Sequence, residues 1–400
     1  MLLLHTSDWH LGHTWKGQSR REEFLKFFDW IIETIIIRKV DILLIAGDIF
    51  DTSTPNAETQ NDYFNFLKRL LDTGCLSVII AGNHDSPYLL DAPSELLLRL
   101  KIHVIGTPDF IERELIEIHG NSGELEMLIA AVPFLREGDI RRFEIGESTE
   151  SREQKSINGI KKHYADICQK AELIRKNKPI PLVVMGHLFV AGGKTSEGVR
   201  EIHVGTLGQT GLDLFPENID YFAFGHLHIQ QNIGKKEMCR YSGSPIPMSF
   251  DEAGQIKSVT LVEFNGREPN IEILPIPKFV NVIRIEGGIE EIESAIKELP
   301  NDMKSFVEVA YNGSDILADL FNMVDTIVAN QENSDLINLI RVFNSNVCQF
   351  QFNPEQNISL ERIEPVELFR NFLKENKFNE EETNELVKIY CEVEQEVRLN

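Results

Sequence analysis

The chain carries the sequence Val78-Ile79-Ile80-Ala81-Gly82-Asn83-His84-Asp85, in which a short apolar run ends in residues that can bind metal ions. Four other apolar runs end in the same way, and the clusters that close them are Asp8-Trp9-His10, Gly47-Asp48, Gly186-His187 and Gly225-His226-Leu227-His228. Short continuous apolar runs are typical of strands buried on both faces, in sheets covered by helices. Because open α/β sheets bind ligands at the carboxyl ends of their strands, we expect the five clusters to meet in one crevice.

Helical patterns separate the apolar runs. The apolar residues of segments 24–36 and 63–71 recur at helical spacing, and each segment precedes a strand-like run. Strand, crossover helix and strand form the βαβ unit of layered α/β domains. The sequence therefore predicts an α/β domain over residues 1–275. Within it, residues 137–180 are expected to be a helical excursion, and short strands after Tyr221 are expected to form a second sheet.

Two smaller segments follow this domain. Pro275-Ile276-Pro277 marks the boundary, and residues 279–344 then alternate strand-like and helical patterns. They predict a small α+β domain, within the usual size range of domains. In residues 345–400, short apolar faces lie opposite many glutamates, which predicts C-terminal helices.

Composition limits the class of protein. The chain has 400 residues, 42% hydrophobic and 26% charged, as is usual for a soluble globular protein. Its scattered cysteines contain no Cys-x-x-Cys pair, which favours a reducing compartment over a disulfide framework or a thiolate zinc site. No apolar run approaches the roughly 20 residues of a membrane span, and the start lacks the basic region of a signal peptide. We therefore expect a cytoplasmic protein with no membrane segment.

The net charge of −23, from 40 basic and 63 acidic residues, argues against a protein that binds nucleic acid on its own. Two bound divalent cations would still make a local site attractive to phosphate. If DNA is the substrate, we expect another subunit to supply part of the DNA binding. The alternative is that the acidic surplus serves solubility alone.

The clusters predict a centre for two metal ions. The candidate ligands are Asp8, His10, Asp48, Asn83, His187, His226 and His228. Two metals at a phosphodiester neutralise the phosphate, activate water and stabilise the departing oxygen, and a carboxylate must bridge them. Asp48 is the candidate bridge. This set of oxygen and nitrogen ligands suits manganese, magnesium, iron or zinc.

His84 is the candidate catalytic residue. Because it adjoins Asn83, its side chain should point away from the metals and face the phosphate, where it stabilises charge or protonates the leaving oxygen. Asp85 is expected to orient His84 or to cap the following segment. Each cluster alone has a structural interpretation, such as a turn or a helix cap, but five in order favour a functional site.

Read in order, the clusters resemble those of the calcineurin-like metallophosphoesterases, and most closely the SbcD nuclease subunits of bacterial SbcCD complexes. The continuation Trp9-His10-Leu11-Gly12 and the later Tyr241-Ser242-Gly243-Ser244-Pro245 carry the closer similarity. The resemblance covers nearly the whole chain. It implies a layered sandwich of two sheets flanked by helices, with a small α+β capping domain and C-terminal helices.

The resemblance also implies roles for the site residues. Asp8, His10, Asp48 and His228 would hold one manganese ion, Asp48, Asn83, His187 and His226 would hold the other, and His84 would be catalytic. The implied activity, in DNA recombination, repair and replication, is a 3′-to-5′ exonuclease on double-stranded DNA and an endonuclease on hairpins and single strands, gated by the ATPase SbcC.

The implied partners are DNA, SbcC and a second nuclease subunit, as a homodimer within a heterotetramer. The C-terminal helices would dock on SbcC. Packing of these helices on their own domain is the alternative.

Two other functions compete with this interpretation. The first is a phosphatase or small-molecule phosphodiesterase of the same superfamily. Such phosphatases commonly continue the second motif with Asp-Arg-Gly and place Glu after the Asn-His pair, whereas this chain has Asp51-Thr52-Ser53 and Asp85. The second is a non-catalytic scaffold, which loss of a ligand residue would indicate, and none is missing.

Overall fold

The computed structural model describes residues 1–120, 122–142, 144, 146–176, 178–190, 212–234, 236–313, 317 and 319–345, and scattered positions between 366 and 390. The chain forms two compact units, residues 1–344 and 345–400. The helices predicted for residues 345–400 lie almost entirely outside the described residues. Among the helices of the described part, none is both long enough and apolar enough to cross a membrane.

The first unit alternates strands and helices. Its strands are β1 (Leu2–Thr6), β2 (Thr14–Trp15), β3 (Gln18–Ser19), β4 (Ile42–Ala46), β5 (Leu76–Ile80), β6 (Ile102–Ile105), β7 (Leu115–His119), β8 (Leu125–Ala131), β9 (Leu182–His187), β10 (Tyr221–Gly225), β11 (Gln231–Ile233), β12 (Lys236–Tyr241), β13 (Ser258–Asn265), β14 (Glu268–Pro275), β15 (Asn281–Gly287), β16 (Ser305–Tyr311) and β17 (Ile337–Asn344). Its α-helices are α1 (Arg21–Arg38), α2 (Ala57–Thr73), α3 (Pro87–Asp91), α4 (Ser94–Leu98), α5 (Ile111–Glu114), α6 (Glu137–Ile140), α7 (Thr149–Arg175), α8 (Ile289–Lys297) and α9 (Leu320–Ala329). Short 3-10 turns span Leu212–Leu214, Phe250–Glu252 and Ser334–Leu336.

Two six-stranded sheets form the body of the fold. The first has the strand order β14-β13-β1-β4-β5-β6 and the second β11-β12-β10-β9-β8-β7. In the first sheet, β1, β4, β5 and β6 run parallel, and in the second sheet β12, β10, β9 and β8 run parallel. Antiparallel strands β13, β14, β7 and β11 complete the sheets.

Apolar layers hold the sheets and helices together. Leu44, Val78, Met127 and Val183 lie in the buried layer between the two sheets. Helices α1 and α2 cover the outer face of the first sheet, and α7 covers that of the second. All residues of β4 are buried, because both faces of its sheet are covered. This arrangement confirms the predicted layered α/β sandwich of two sheets flanked by helices.

The second sheet begins earlier in the chain than the sequence indicated. Strands β7, β8 and β9 precede Tyr221 and belong to this sheet, whereas β13 and β14 follow it and pair with the first sheet. The strands that end in the five clusters are consequently divided, with β1, β4 and β5 in the first sheet and β9 and β10 in the second. Periodicity identifies a strand, but sheet membership depends on long-range pairing.

Residues 279–344, which we call the capping segment, contain a third sheet. Its parallel strands β15, β16 and β17 are connected by α8 and α9, which pack on one face. The opposite face packs on Trp15 and Phe250 through Val282, Phe306 and Ile340. The domain boundaries 1–275, 279–344 and 345–400 stay predictions.

Candidate metal centre

The carboxyl ends of β1, β4, β5, β9 and β10 meet at one edge of the sandwich. The backbone N–H of Asp8 donates to the carbonyl of Gly47 (3.0 Å), and that of His10 donates to the carbonyl of Asp48 (3.0 Å). Across the two sheets, the N–H of His226 donates to Asp8 Oδ1 (2.8 Å). These bonds join the strand ends that carry four of the seven predicted ligands, Asp8, His10, Asp48 and His226.

The backbone turns sharply where these strands end. The turn residues with left-handed backbone are Asp8 (φ 52°), His10 (φ 49°), Asp48 (φ 49°) and His226 (φ 103°). Such conformations cost about 1–3 kcal/mol each for residues with a Cβ and persist only where the surrounding contacts enforce them. They cluster at functional sites, and here they redirect the side chains of four predicted ligands.

Glycines let the strand ends approach each other. A Cβ on Gly47, whose φ is 86°, would collide with the ring of His187. A Cβ on Gly82 would collide with the carboxylate and the backbone nitrogen of Asp48. A larger residue at either position would push two predicted ligand-bearing turns apart.

One group of side chains contains Asp8, His10 and His228, whose ligand atoms lie within 4.8 Å of one another. All three side chains are buried. The hydroxyl of Ser7 donates to Asp8 Oδ2 (2.6 Å), so both oxygens of this carboxylate accept a hydrogen bond, Oδ1 from the N–H of His226. The group therefore offers one carboxylate and two imidazoles.

A second group lies around Asn83, whose Oδ1 is 3.0 Å from His187 Nε2 and 3.0 Å from His226 Nδ1. The Asp48 carboxylate lies between the two groups, because its Oδ2 is 3.3 Å from His187 Nε2 and 3.5 Å from His10 Nε2. Asp48, the predicted bridge, thus lies between the two groups.

Electrostatics in the second group centre on Asp48. Burial by itself would lower the pKa of His187, but the charge and hydrogen bond of Asp48, together with the charge of Asp8 and the bond to the Ala46 carbonyl, outweigh burial and raise this pKa to about 9. Burial, together with the neighbouring His187, lowers the pKa of His226 to about 3. The Nδ1–H of His187 donates to the carbonyl of Ala46 (2.9 Å), so its Nε2 faces Asp48 and Asn83.

The side chains fit divalent metal ions. Asp8 and Asp48 are 0% and 2% exposed, and burying carboxylate charge is costly without a cation nearby. The ring nitrogen Nε2 of the buried His10 lacks a hydrogen-bond partner among the described residues. A cation bound by oxygen and nitrogen ligands would satisfy both requirements. The centre is therefore one for divalent metals.

His84 lies beside this centre with a fixed ring. Its backbone N–H donates to Asp48 Oδ1 (2.9 Å), and its Nδ1 donates to the carbonyl of Asp51 (2.8 Å). The ring stands edge-on to that of His10, with 4.8 Å between centroids. With Nδ1 held by a carbonyl, an acid or base function of this ring would use Nε2.

The role expected for Asp85 is wrong. Its carboxylate neither orients His84 nor caps α3, which begins after the side-chain cap of Ser86. It accepts instead the backbone N–H groups of Ile49 (3.1 Å), Phe50 (2.9 Å) and Gly82 (2.8 Å). Burial, together with the charge of Asp48, raises the pKa of Asp85 to about 6. Asp85 therefore joins the turn after β4 to the turn after β5.

Sequence reasoning missed two sets of supporting residues. The carboxylate of Asp51 lies 3.3 Å from His10 Nδ1 and 3.1 Å from His13 Nδ1. Its position three residues after Asp48, within the same motif, was a usable signal. Glu252 and Lys257 form a buried ion pair next to His228, and no local pattern marks them.

Replacing Gly82 by alanine tests the close approach of the strand ends. The Cβ would displace Asp48, so we expect Gly82→Ala to weaken Mn²⁺ binding and to lower the free energy of unfolding by about 1–3 kcal/mol. Isothermal titration and thermal unfolding measure the two effects. Gly138→Ala is the matched control, because a Cβ there meets no heavy atom within 4 Å. Wild-type binding and stability in Gly82→Ala would contradict the prediction.

Comparison with known proteins places the chain in a family. The family model described as calcineurin-like phosphoesterase matches residues 1–230, and the model described as type 5 capsule protein repressor C-terminal domain matches residues 278–377. The SbcD subunit of nuclease SbcCD from Escherichia coli strain K12 is 36% identical over 303 residues, which are 74% of this chain and 74% of the relative.

Two further relatives carry the same description. The SbcD subunit of nuclease SbcCD from Rhodobacter capsulatus is 33% identical over 314 residues, which cover 75% of this chain and 76% of that protein. Its counterpart from Bacillus subtilis strain 168 is 29% identical over 401 residues, which cover 98% of this chain and 97% of that protein. The chain therefore belongs to the calcineurin-like phosphoesterase family and, within it, to the group that contains the SbcD subunits of nuclease SbcCD.

Proposed function

We propose that the chain is a metal-dependent DNA nuclease subunit, which hydrolyses phosphodiester bonds together with an SbcC-type ATPase. The observation that carries this proposal is the position of the Asp48 carboxylate between His10 and His187, beside His84. One carboxylate between two ligand groups, with an imidazole next to it, fits two-metal phosphodiester hydrolysis.

The two groups support a proposed division of the ligands. Asp8, His10, Asp48 and His228 would hold one ion, and Asp48, Asn83, His187 and His226 would hold the other. Manganese is the proposed resident metal, which these oxygen and nitrogen ligands suit. When bound, the ions supply neutralisation of phosphate charge and activation of water.

His84 is the proposed catalytic residue of the chain itself. The Asp51 carbonyl fixes the Nδ1–H of His84, so Nε2 is the atom that donates a proton to the leaving oxygen or stabilises charge on the phosphate. The backbone N–H of His84 on Asp48 Oδ1 keeps the imidazole in a constant position relative to the proposed bridging carboxylate.

The proposed substrate is DNA, cleaved as a 3′-to-5′ exonuclease on double strands and as an endonuclease on hairpins and single strands. Similarity to the Bacillus subtilis nuclease along 98% of the chain supports this choice. A phosphatase or small-molecule phosphodiesterase is the alternative. Asp51-Thr52-Ser53 in place of Asp-Arg-Gly argues against it.

The proposed assembly contains two nuclease subunits and SbcC, and it acts in the cytoplasm in DNA recombination, repair and replication. Access of DNA to the nuclease site is proposed to depend on ATP. The net charge of −23 supports sharing of the DNA-binding surface with another subunit. Residues 345–400 are the proposed docking segment for SbcC.

Cleavage of an end-labelled DNA hairpin in the presence of Mn²⁺ tests the function. We expect cleavage by the wild type, none by Asp48→Ala, and a loss of about 10²–10⁴-fold in His84→Ala because the acid is missing. Stimulation by SbcC with ATP would support the complex.

His119→Ala is the histidine control, since its side chain is half exposed on β7. Full manganese-dependent cleavage by His84→Ala would refute its catalytic role. If the wild type cleaves a nucleotide ester and leaves every DNA substrate intact, the phosphatase alternative is correct.

Removal of residues 365–400 tests the docking segment. We expect the truncated protein to lose binding to SbcC in a pull-down assay, because the apolar C-terminal faces are missing. Its Mn²⁺ titration should match that of the full chain. Normal SbcC binding by the truncated protein would contradict the assignment.

A further inference from the structure

A buried ion pair holds His228 from two sides. Glu252, which is 0% exposed, places Oε1 3.3 Å from His228 Nδ1, and its Oε2 pairs with Lys257. Lys257, which is 7% exposed, donates from Nζ to the carbonyl of His228 (2.9 Å) and to Ser244 Oγ (3.0 Å). Lys257 therefore holds the backbone of His228 by a hydrogen bond, and the Glu252 carboxylate faces the Nδ1 atom of its ring at ion-pair distance.

The pair is better explained by orientation than by stability. Moving two charges out of water is costly, and buried ion pairs often contribute no more stability than apolar residues of similar volume. A carboxylate beside Nδ1, in contrast, favours the tautomer with a proton on Nδ1 and leaves the lone pair on Nε2 for a ligand. Glu252 therefore has a direct chemical effect on His228.

His228, like His10 beside Asp51, has a carboxylate next to Nδ1 and differs in this respect from two other histidines of the site. The Nδ1 atoms of His187 and His84 donate to the neutral carbonyls of Ala46 and Asp51. A carboxylate partner makes an imidazole a more basic metal ligand than a carbonyl partner does. The ligand strength of His228 is consequently more sensitive to the position of its partner.

Glu252 is the last residue of a 3-10 turn that touches the capping segment. The ring of Phe250 stacks on Trp15, with 4.8 Å between centroids, and Trp15 meets Phe306 of the capping segment edge-on at 5.3 Å. Asp251 Oδ1 lies 3.3 Å from Arg284 Nη1, also of the capping segment. Three consecutive residues thus connect β15 and β16 to His228.

We propose that Glu252 is a positioning residue of the metal centre. Through the turn Phe250–Glu252, the orientation of His228 depends on the position of the capping segment. The inference rests on the proposed function, because it takes His228 as a metal ligand. A shift of the capping segment would alter the metal position formed by Asp8, His10 and His228. The position formed by Asn83, His187 and His226 would keep its affinity.

Titration of the full chain with Mn²⁺ tests the role of Glu252. We expect two binding steps in the wild type and a loss of about 10–100-fold in one of them in Glu252→Gln, the usual effect of removing a partner of a metal-bound histidine. The other step should be unchanged, which a general structural defect would not produce. The double variant Glu252→Gln/Lys257→Met removes both charges, so it keeps no unpaired buried ion and should show the same selective loss.

Two arginines of the capping segment test the connection. Both arginines contact Glu308: Arg284 Nε donates to Oε1 (2.6 Å), and Arg341 Nη1 lies 3.6 Å from Oε2. Of the two, Arg284 is the one that is also paired with Asp251 of the turn. We expect Arg284→Gln to weaken the same Mn²⁺ step by about two- to fivefold, the range of a partly exposed ion pair. Arg341→Gln is the matched control and should leave both steps unchanged.

The outcomes separate this inference from the proposed function. If the wild type shows two Mn²⁺-binding steps and Glu252→Gln shows the same two affinities, the positioning role alone is overturned. Failure of both Glu252 variants to fold would make the ion pair a folding determinant and would also overturn it. Equal losses in Arg284→Gln and Arg341→Gln would overturn the connection to the capping segment. A wild type that binds no Mn²⁺ would contradict the proposed function itself.

Discussion

Two carboxylates buried where the sheets meet, those of Asp8 and Asp48, impose the constraint that organises the rest of the site. Each must be compensated within the protein, because water is excluded and charge burial is costly. Asp8 Oδ1 accepts the N–H of His226 from the second sheet, and Asp48 Oδ1 accepts the N–H of His84 from the first. The imidazoles around them and a divalent cation complete the compensation.

The strand ends show what this arrangement costs. Four turn residues have left-handed backbone, at about 1–3 kcal/mol each, although none is glycine. Asp85 supports the strained turn at Asp48, since its carboxylate accepts the backbone N–H groups of Ile49 and Phe50 from that turn and of Gly82 from the next. The apolar layers on both sides of each sheet supply the rigidity that keeps the turns in place.

The sequence predicted what local patterns encode. Apolar runs located the strands, and the polar residues that close them located the centre, because a strand end is a local feature. The buried strand residue His5 has partners within the fold, because its ring lies 3.0 Å from the Tyr221 hydroxyl and 3.2 Å from the Phe224 carbonyl. The division of strands between sheets, the role of Asp85 and the pair Glu252–Lys257 depend on contacts between distant segments, which periodicity does not record.

Anomalous diffraction from crystals grown with Mn²⁺, measured at the manganese absorption edge, tests the central claim of a two-metal centre most directly. Two peaks are expected, one beside Asp8, His10 and His228 and the other beside Asn83, His187 and His226, with the Asp48 carboxylate between them. A single peak, or peaks that leave Asp48 without a metal contact, would contradict a centre bridged by this residue.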